Sequence, residues 1–181
     1  MTHEDKLIQQ IKNGRSECLD ELIELYYPAV LRYCLWHMPD RESAQDATQE
    51  TFLKLVRFIG HYEHRGQFRA FLYRIAANTC VDMKRNTFMT EWLPDVESET
   101  GYHIQTAFYT EKGFPAAEDR QQLATAFSCL DDATRELVLL KYGQELTLRE
   151  ISKVTDLPLR TVQTKLRRAL GKMKKTLDGE S

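Results

Sequence analysis

Apolar positions along this chain recur with a helical period. Leu19, Leu22, Ile23, Tyr26 and Val30 fall on one stripe of an amphipathic helix, with the i, i+3, i+4, i+7 spacing. Phe52, Leu55, Val56 and Ile59 repeat that spacing, as do Phe68, Leu72, Ile75 and Thr79. Leu123, Phe127 and Leu130 form a shorter stripe, and Val162, Leu166, Ala169, Leu170, Met173 and Leu177 a long one. Sustained strand-like alternation is absent, so the expected fold class is all-α. The pattern lapses from about Phe88 to Ala117, where Pro94, Gly101, Gly113 and Pro115 interrupt an acidic stretch. The expected organisation is therefore two small helical domains, 1–87 and 118–181, joined by an irregular linker over 88–117. The linker also carries Trp92, Tyr102, Phe108, Tyr109 and Phe114, which suit either packing on a module or docking on a partner.

The second module contains a helix-turn-helix pattern. Thr147-Leu148-Arg149-Glu150 reads as a capping box that opens a short helix carrying Leu148, Ile151 and Val154. Thr155-Asp156-Leu157-Pro158 supplies a turn, and a second helix is predicted from about Leu159 to Lys175. At 100° per residue its apolar stripe lies opposite Arg160, Thr164, Arg167, Arg168 and Lys175, with Gln163 and Lys165 on the flanks. A basic second helix after a tight turn suits the major groove, where side chains of its first turns reach base edges. A helical hairpin with a solvated basic face carries the same pattern.

Composition sharpens this only when it is resolved along the chain. The 181 residues carry a formal net charge of −2, with 42% hydrophobic and 29% charged residues, the profile of a globular protein. That net figure argues against nucleic acid as a partner, but its distribution does not. Residues 61–87 hold five basic and two acidic side chains, and residues 158–176 hold seven basic and none acidic. Acidic segments separate these two candidate phosphate-contacting stretches. Cys18, Cys34, Cys80 and Cys129 lie far apart without a CxxC pair, which suits a reducing compartment rather than a disulfide scaffold. No apolar run approaches the ~18 residues of a membrane span, and the start MTHEDKLIQQ is too polar for a signal peptide. A cytoplasmic protein without membrane insertion is expected.

In the first module an acidic helix, SAQDATQETFLKLVR, gives Asp46, Gln49 and Glu50 a polar face, with Phe52, Leu55 and Val56 as its core face. A loop, HYEHRGQ, leads into FRAFLYRIAANTCVDMKR, where Arg69, Arg74, Lys84 and Arg85 interleave with Phe68, Phe71 and Tyr73. Cations among aromatics suit single-stranded nucleic acid, although Phe68 and Leu72 read better as core.

The blocks DATQETF, FRAFLYRIAANTCVDMKR and LTLREISKVTDLPLRTVQTKLRRAL together resemble a bacterial RNA polymerase sigma factor of the extracytoplasmic-function (ECF, group 4) family, over about Cys18 to Lys175. The resemblance implies a region 2-like bundle followed by a region 4-like helix-turn-helix. It places Asp46, Gln49 and Glu50 where such factors dock on the β′ clamp helices of core polymerase. It places Tyr62, Glu63, His64, Arg65, Gly66 and Gln67 on the loop that captures a base flipped from the single-stranded −10 element, with Asn78 beside it. Arg74, Lys84 and Arg85 are expected along the same −10 strand. A flipped base exposes its Watson–Crick edge, at a cost of ~a few kcal/mol. Arg160, Thr161, Gln163, Thr164, Lys165, Arg167 and Arg168 fall on the helix that reads the −35 duplex. The resemblance further implies contact with the polymerase β flap, an anti-sigma factor as a partner, and nucleoid association when polymerase is bound.

The chain also departs from the family pattern. Phe71 stands where Trp is frequent, Arg160 where Gly is frequent, and Gln163 where a basic residue is frequent. Gln pairs bidentately with adenine, so the −35 preference need not be the usual one. Cys34 and His37 lie one helical turn apart, but no further ligand is near in sequence, so no metal site is expected. No Gly-rich phosphate loop and no catalytic Ser/His/Asp arrangement is present, so neither catalytic residues nor a cofactor are expected, and the chain reads as no enzyme. Two further classes remain open at this stage: a stand-alone helix-turn-helix transcriptional regulator and a DNA-independent helical interaction module.

Overall fold

The computed structural model describes residues 3–63, 66–90 and 117–178, with side chains described for 3–63, 66–85 and 122–178. Every regular element among them is helical. The chain divides into two compact units, residues 1–95 and 96–181. The aromatic residues singled out in the linker lie outside the described residues.

The first unit is a four-helix assembly: α1 (His3–Lys12), α2 (Glu17–His37), α3 (Arg41–Phe58) and α4 (Phe68–Thr90). Helix α4 runs three residues into the stretch assigned to the linker. Asp40 starts α3 as an N-cap, its carboxylate accepting from the Ser43 amide at 2.7 Å. The buried row of α3 is built from small residues, Ala44, Ala47, Thr48 and Thr51, followed by Phe52 and Leu55. Such a row lets α2 and α4 approach closely. The two threonine hydroxyls do not spoil the apolar interior, because each donates to the carbonyl four residues back at 2.7 Å. Leu22, Val30, Tyr33 and Cys34 of α2 and Phe68, Leu72, Tyr73, Ala76 and Cys80 of α4 are buried with them, Tyr33 against Tyr73 and Cys34 against Cys80.

Three expectations about side chains change here. Val56 is exposed rather than core, because the buried row advances along Ala44, Thr48, Phe52, Leu55 and Ile59 and leaves Val56 beyond its edge. Tyr73 is fully buried against Tyr33, ring centroids 5.5 Å apart, so it is not available to stack on bases. Cys34 and His37 do not converge on a common site. Cys34 is buried with its sulfur 3.9 Å from that of Cys80, whose hydrogen bond lowers the Cys34 thiol pKa against the opposing effect of burial, while His37 packs on Tyr33. Among the described residues no cluster of three or more metal-ligating side chains occurs.

The second unit comprises α5 (Ala117–Ser128), α6 (Asp132–Val138), a widened π turn (Leu139–Gly143), α7 (Leu148–Thr155) and α8 (Leu159–Leu177). The π turn carries the end of an unbroken buried run, Leu137 to Leu140, and closes with the Gln144 amide donating to the Leu139 carbonyl at 3.0 Å. Asp131 caps α6 by accepting from the Thr134 amide at 2.8 Å. Phe127, Leu137, Leu140, Leu146, Ile151 and Val162 are fully buried and form the core. The stripe of α8 sinks at Val162, Leu166 and Ala169, but Leu170 and Leu177 are exposed, contrary to expectation, since α8 outlasts the helices packed against its first half.

The capping box of α7 is formed as its sequence predicts. The Glu150 amide donates to Thr147 Oγ1 at 3.3 Å, and the Thr147 amide donates to Glu150 Oε2 at 2.7 Å. Replacing Thr147 with alanine leaves the Glu150 amide without its side-chain acceptor and removes the Oγ1 bond to Glu150 Oε2, which should cost about 1 kcal/mol. Amide hydrogen exchange checks this: protection should fall over 148–155 first, and unchanged protection there would refute the cap's contribution.

Candidate polymerase and promoter interfaces

Helix α3 exposes Asp46 and Gln49, with Glu50 half-buried beside them. The same face continues into Leu53 and Val56, whose side chains are 53% and 44% exposed. An acidic patch that runs into exposed apolar side chains is a surface suited to a protein partner rather than to DNA phosphates. Glu50 also lines an open cleft of about 560 Å³ with Asp46, Lys54, Asp82, Met83 and Arg85. Across it Lys54 Nζ lies 3.5 Å from Asp82 Oδ2, tying α3 to α4. Leu53 escaped the sequence reading because a leucine in a helix is taken for core, and only the phase of the small-residue row shows otherwise.

The loop between α3 and α4 is held from several directions. The Tyr62 ring stacks on Phe71 at 4.6 Å and meets Phe68 edge-on at 5.8 Å, while Phe68 also contacts Tyr26 of α2. The Tyr62 carbonyl accepts a hydrogen bond from Lys12 Nζ of α1 at 2.6 Å. Lys12 lies 50 residues away in sequence, so no local pattern pointed to it. Helix α1 is itself fixed by buried Leu7 and Ile8 and by a hydrogen bond from the Tyr26 hydroxyl to Glu4. Burial first, and that bond second, raise the Tyr26 pKa, so its hydroxyl stays protonated as the donor. Gly66 has a left-handed backbone (φ +65°), which only glycine adopts without strain. Glu63 is exposed and Gln67 half-buried, whereas His64 and Arg65 lie outside the described residues.

Along α4, Arg74, Asn78, Val81 and Arg85 are all exposed at i, i+4, i+7 and i+11, one continuous row. Lys84 is exposed to one side of it. Val81, 55% exposed, was missed because an apolar residue between polar ones carries no signal for a nucleic-acid face.

In the second unit α7 ends at Thr155, with Asp156 in the left-handed conformation (φ 54°, ψ 22°) as its C-cap. The Ser152 hydroxyl donates to the Leu157 carbonyl at 2.6 Å, closing the turn. Pro158 precedes α8, and its carbonyl accepts from the amides of Thr161 and Val162. With Val162, Leu166 and Ala169 buried, Arg160, Gln163, Arg167 and Arg168 face solvent, and Thr161 and Thr164 are half-buried at the margins. Lys165 is set apart from this face. It is half-buried and lies with Lys172 on the side of Asp131, whose carboxyl pKa is lowered chiefly by hydrogen bonds from Thr134 and further by these two cations.

Residues 22–87 match the family model described as Sigma-70 region 2, and residues 120–173 match Sigma-70, region 4. The chain is 25% identical over 178 residues to the ECF RNA polymerase sigma factor SigW of Bacillus subtilis, covering 95% of each chain. Among solved structures, CnrH in complex with the cytosolic domain of CnrY superposes with a TM-score of 0.67 at 20% identity, covering 97% of each chain. The sigma factor RpoE, in complex with the anti-sigma factor NepR from Bartonella quintana, gives a TM-score of 0.65 at 15% identity, covering 90% of this chain and 98% of that one. At those identities the structural likeness concerns the fold.

Proposed function

The chain belongs to the sigma-70 family, in its extracytoplasmic-function group, and directs RNA polymerase to promoters; from that premise we propose how its surfaces divide the work. The Asp46, Gln49 and Glu50 face of α3 docks on the β′ clamp helices. The loop from Tyr62 to Gln67, with Arg74, Asn78, Lys84 and Arg85 of α4, receives the −10 strand after a base flips out of the stack. Helix α8 enters the −35 major groove with Arg160, Gln163 and Thr164 toward base edges and Arg167 and Arg168 toward phosphates, while Thr161 and Lys165 hold the flanks. The second module also meets the β flap, and the stretch 88–117 links the two modules.

In this reading the chain is non-catalytic and lends promoter choice to the polymerase, within the cytoplasm and at the nucleoid when bound. An anti-sigma factor is proposed as the partner that holds it inactive, since the RpoE structure has such a partner. The observation that carries the proposal is the ordered pair of family modules, with an acidic face on α3 and a basic face on α8. Transcription by core polymerase from a promoter library randomised at both elements tests it. The chain should select one sequence class. No promoter-dependent initiation, with no co-elution with core, would end this reading.

A sharper check concerns the phosphate-facing cations. Each neutralised phosphate contributes about 0.9 to the slope of log K against log salt. Arg167→Ala with Arg168→Ala should therefore flatten that slope by just under about 2 and weaken holoenzyme binding to the −35 duplex uniformly across sequences. A slope identical to wild type would remove these residues from the interface.

A further inference from the structure

Helix α1 lies wholly ahead of the stretch that matches the family model, which begins at residue 22. It is nevertheless held firmly on the first unit. Leu7 and Ile8 are buried, and the Cys18 thiol of α2 donates to the Gln10 side chain at 3.0 Å. Its end is locked as well. The Arg15 amide donates to the Gln10 carbonyl at 3.1 Å and the Gly14 amide to the Ile11 carbonyl at 3.0 Å, with Gly14 left-handed at φ +88°. These are the two bonds of a Schellman motif, which satisfies the last carbonyls of a helix and turns the chain away from it. The lock fixes the point from which Lys12, the last helical residue, extends.

Two routes run from this helix to Tyr62. One is direct: Lys12 Nζ donates to the Tyr62 carbonyl at 2.6 Å. The other passes through rings. Glu4 accepts from the Tyr26 hydroxyl, the Tyr26 ring lies 5.5 Å from Phe68, and Phe68 lies 5.8 Å from Tyr62. The two routes hold different parts of the residue. The rings fix where the Tyr62 side chain sits, whereas the ammonium fixes the peptide plane between Tyr62 and Glu63. Because a peptide is rigid, that plane sets the direction in which the chain leaves the 3-10 turn Ile59–His61. A bond from an ammonium is stronger than one between neutral groups. Its acceptor here is uncharged, so its function is geometric rather than neutralising.

We propose that α1 is a strap that orients the −10 loop, with Lys12 as a positioning residue that acts through the Tyr62 carbonyl. This deepens the −10 reading and rests on it. Lys12 touches no base in this account. It holds the exit of the loop in one direction before DNA arrives, so that less ordering is left for the moment when the flipped base binds.

Lys12→Met keeps an unbranched apolar stem and removes the donor. In the free full-length chain the Glu63, Gly66 and Gln67 amides should exchange at least about threefold faster, with Tm unchanged because the bond lies at the surface. The variant holoenzyme should form open complexes at the library-selected promoter about fivefold more slowly, the weight of one hydrogen bond. Core binding, −35 duplex binding and the salt slope should stay as in the wild type. Lys12→Arg retains a charged donor of similar reach and should recover most of the opening rate. Wild-type opening by Lys12→Met overturns the proposal, as does an arginine variant no better than the methionine one. A salt slope flattened by about 0.7 or more would make Lys12 a phosphate contact instead. Core binding that falls in step with opening would make it a stability residue of the bundle. A wild-type holoenzyme that selects no promoter sinks the −10 reading, and the exchange rates of the free chain still decide whether Lys12 holds the loop.

Discussion

Gln49→Ala with Glu50→Ala lowers affinity for core polymerase by about thirtyfold or more and leaves the fold of the first unit intact. The magnitude follows from position. These two side chains sit between Asp46 and Leu53 on α3, and truncating the few central residues that dominate an interface costs about 2 kcal/mol or more. The fold should survive because neither residue contributes to the buried row, which runs through Ala44, Ala47, Thr48, Thr51 and Phe52. Gln49 is exposed, and Glu50 borders an open cleft whose cross-helix tie is the Lys54–Asp82 pair. Co-elution with core and a thermal melt of the same preparation decide the matter. A variant that melts as wild type yet binds core as wild type removes this face from the polymerase interface. Leu53→Ser tests whether the apolar continuation belongs to the same surface. It removes an exposed leucine, so it should weaken core binding without a loss of Tm.

How far the sequence alone reaches is visible in single elements. Long stripes with clear caps were legible: α2, α3, α4, α7 and α8 fall where periodicity and the Thr147 box put them. Helix α1 was not, because its buried contribution is two adjacent residues, Leu7 and Ile8, with Ile11 half-buried, too few to set a period. The region of α6 and the π turn was opaque for the opposite reason. Leu137 to Leu140 are all apolar and all buried, and an unbroken run has no phase to read. Phase errors of one residue explain Val56, while Leu170 and Leu177 continue a true stripe past the end of the partners that would bury it. Exposure was legible wherever charge and helical spacing coincide, as for Arg160, Arg167 and Arg168 on α8 and for Asp46 and Gln49 on α3. Contacts that join distant segments were not legible. Lys12 and Tyr62 meet only because α1 folds back on α2.

Net charge was the least informative quantity, and the structure explains why. The excess of cations sits on exposed faces of α4 and α8, whereas Asp46 and Glu50 give α3 an acidic face, α3 and α4 meeting at the cleft that Arg85 shares. A protein with one sign of charge for each partner sums to nearly zero while presenting strong local fields to both. Weak promoter binding by the free chain is the outcome this balance leads one to expect, because phosphate attraction by one face is offset by repulsion from another. Attachment to polymerase would cover the acidic face of α3 and leave the cationic ones.

Tyr62→Ala should lower open-complex formation at least about tenfold, while core binding and −35 duplex binding persist. Tyr62 is the anchor of the α3–α4 loop. Its ring is stacked on Phe71 at 4.6 Å and edge-on to Phe68 at 5.8 Å, and its carbonyl accepts from Lys12. Aromatic pairs of this geometry contribute about 0.5–1.5 kcal/mol each beyond the area they bury. Losing both releases a loop whose other end turns on Gly66. A pocket for a flipped base must be in place before the base arrives, since unstacking already costs ~a few kcal/mol and binding must offset it. A loop that has to be ordered at the same moment adds to that cost. Tyr62→Phe keeps the ring contacts and should restore most of the melting, which separates positioning by the ring from chemistry at the hydroxyl. A core truncation such as Leu72→Ala serves as the contrast. It costs about 2–5 kcal/mol of stability and should take polymerase binding down together with melting, because it acts on the whole unit. Permanganate reactivity of unpaired thymines in the −10 region reports the melting step directly. If the Tyr62→Ala holoenzyme shows wild-type reactivity, the loop's order before DNA arrives is irrelevant to opening. If it loses core binding in parallel with reactivity, Tyr62 is a stability residue of the bundle and nothing more.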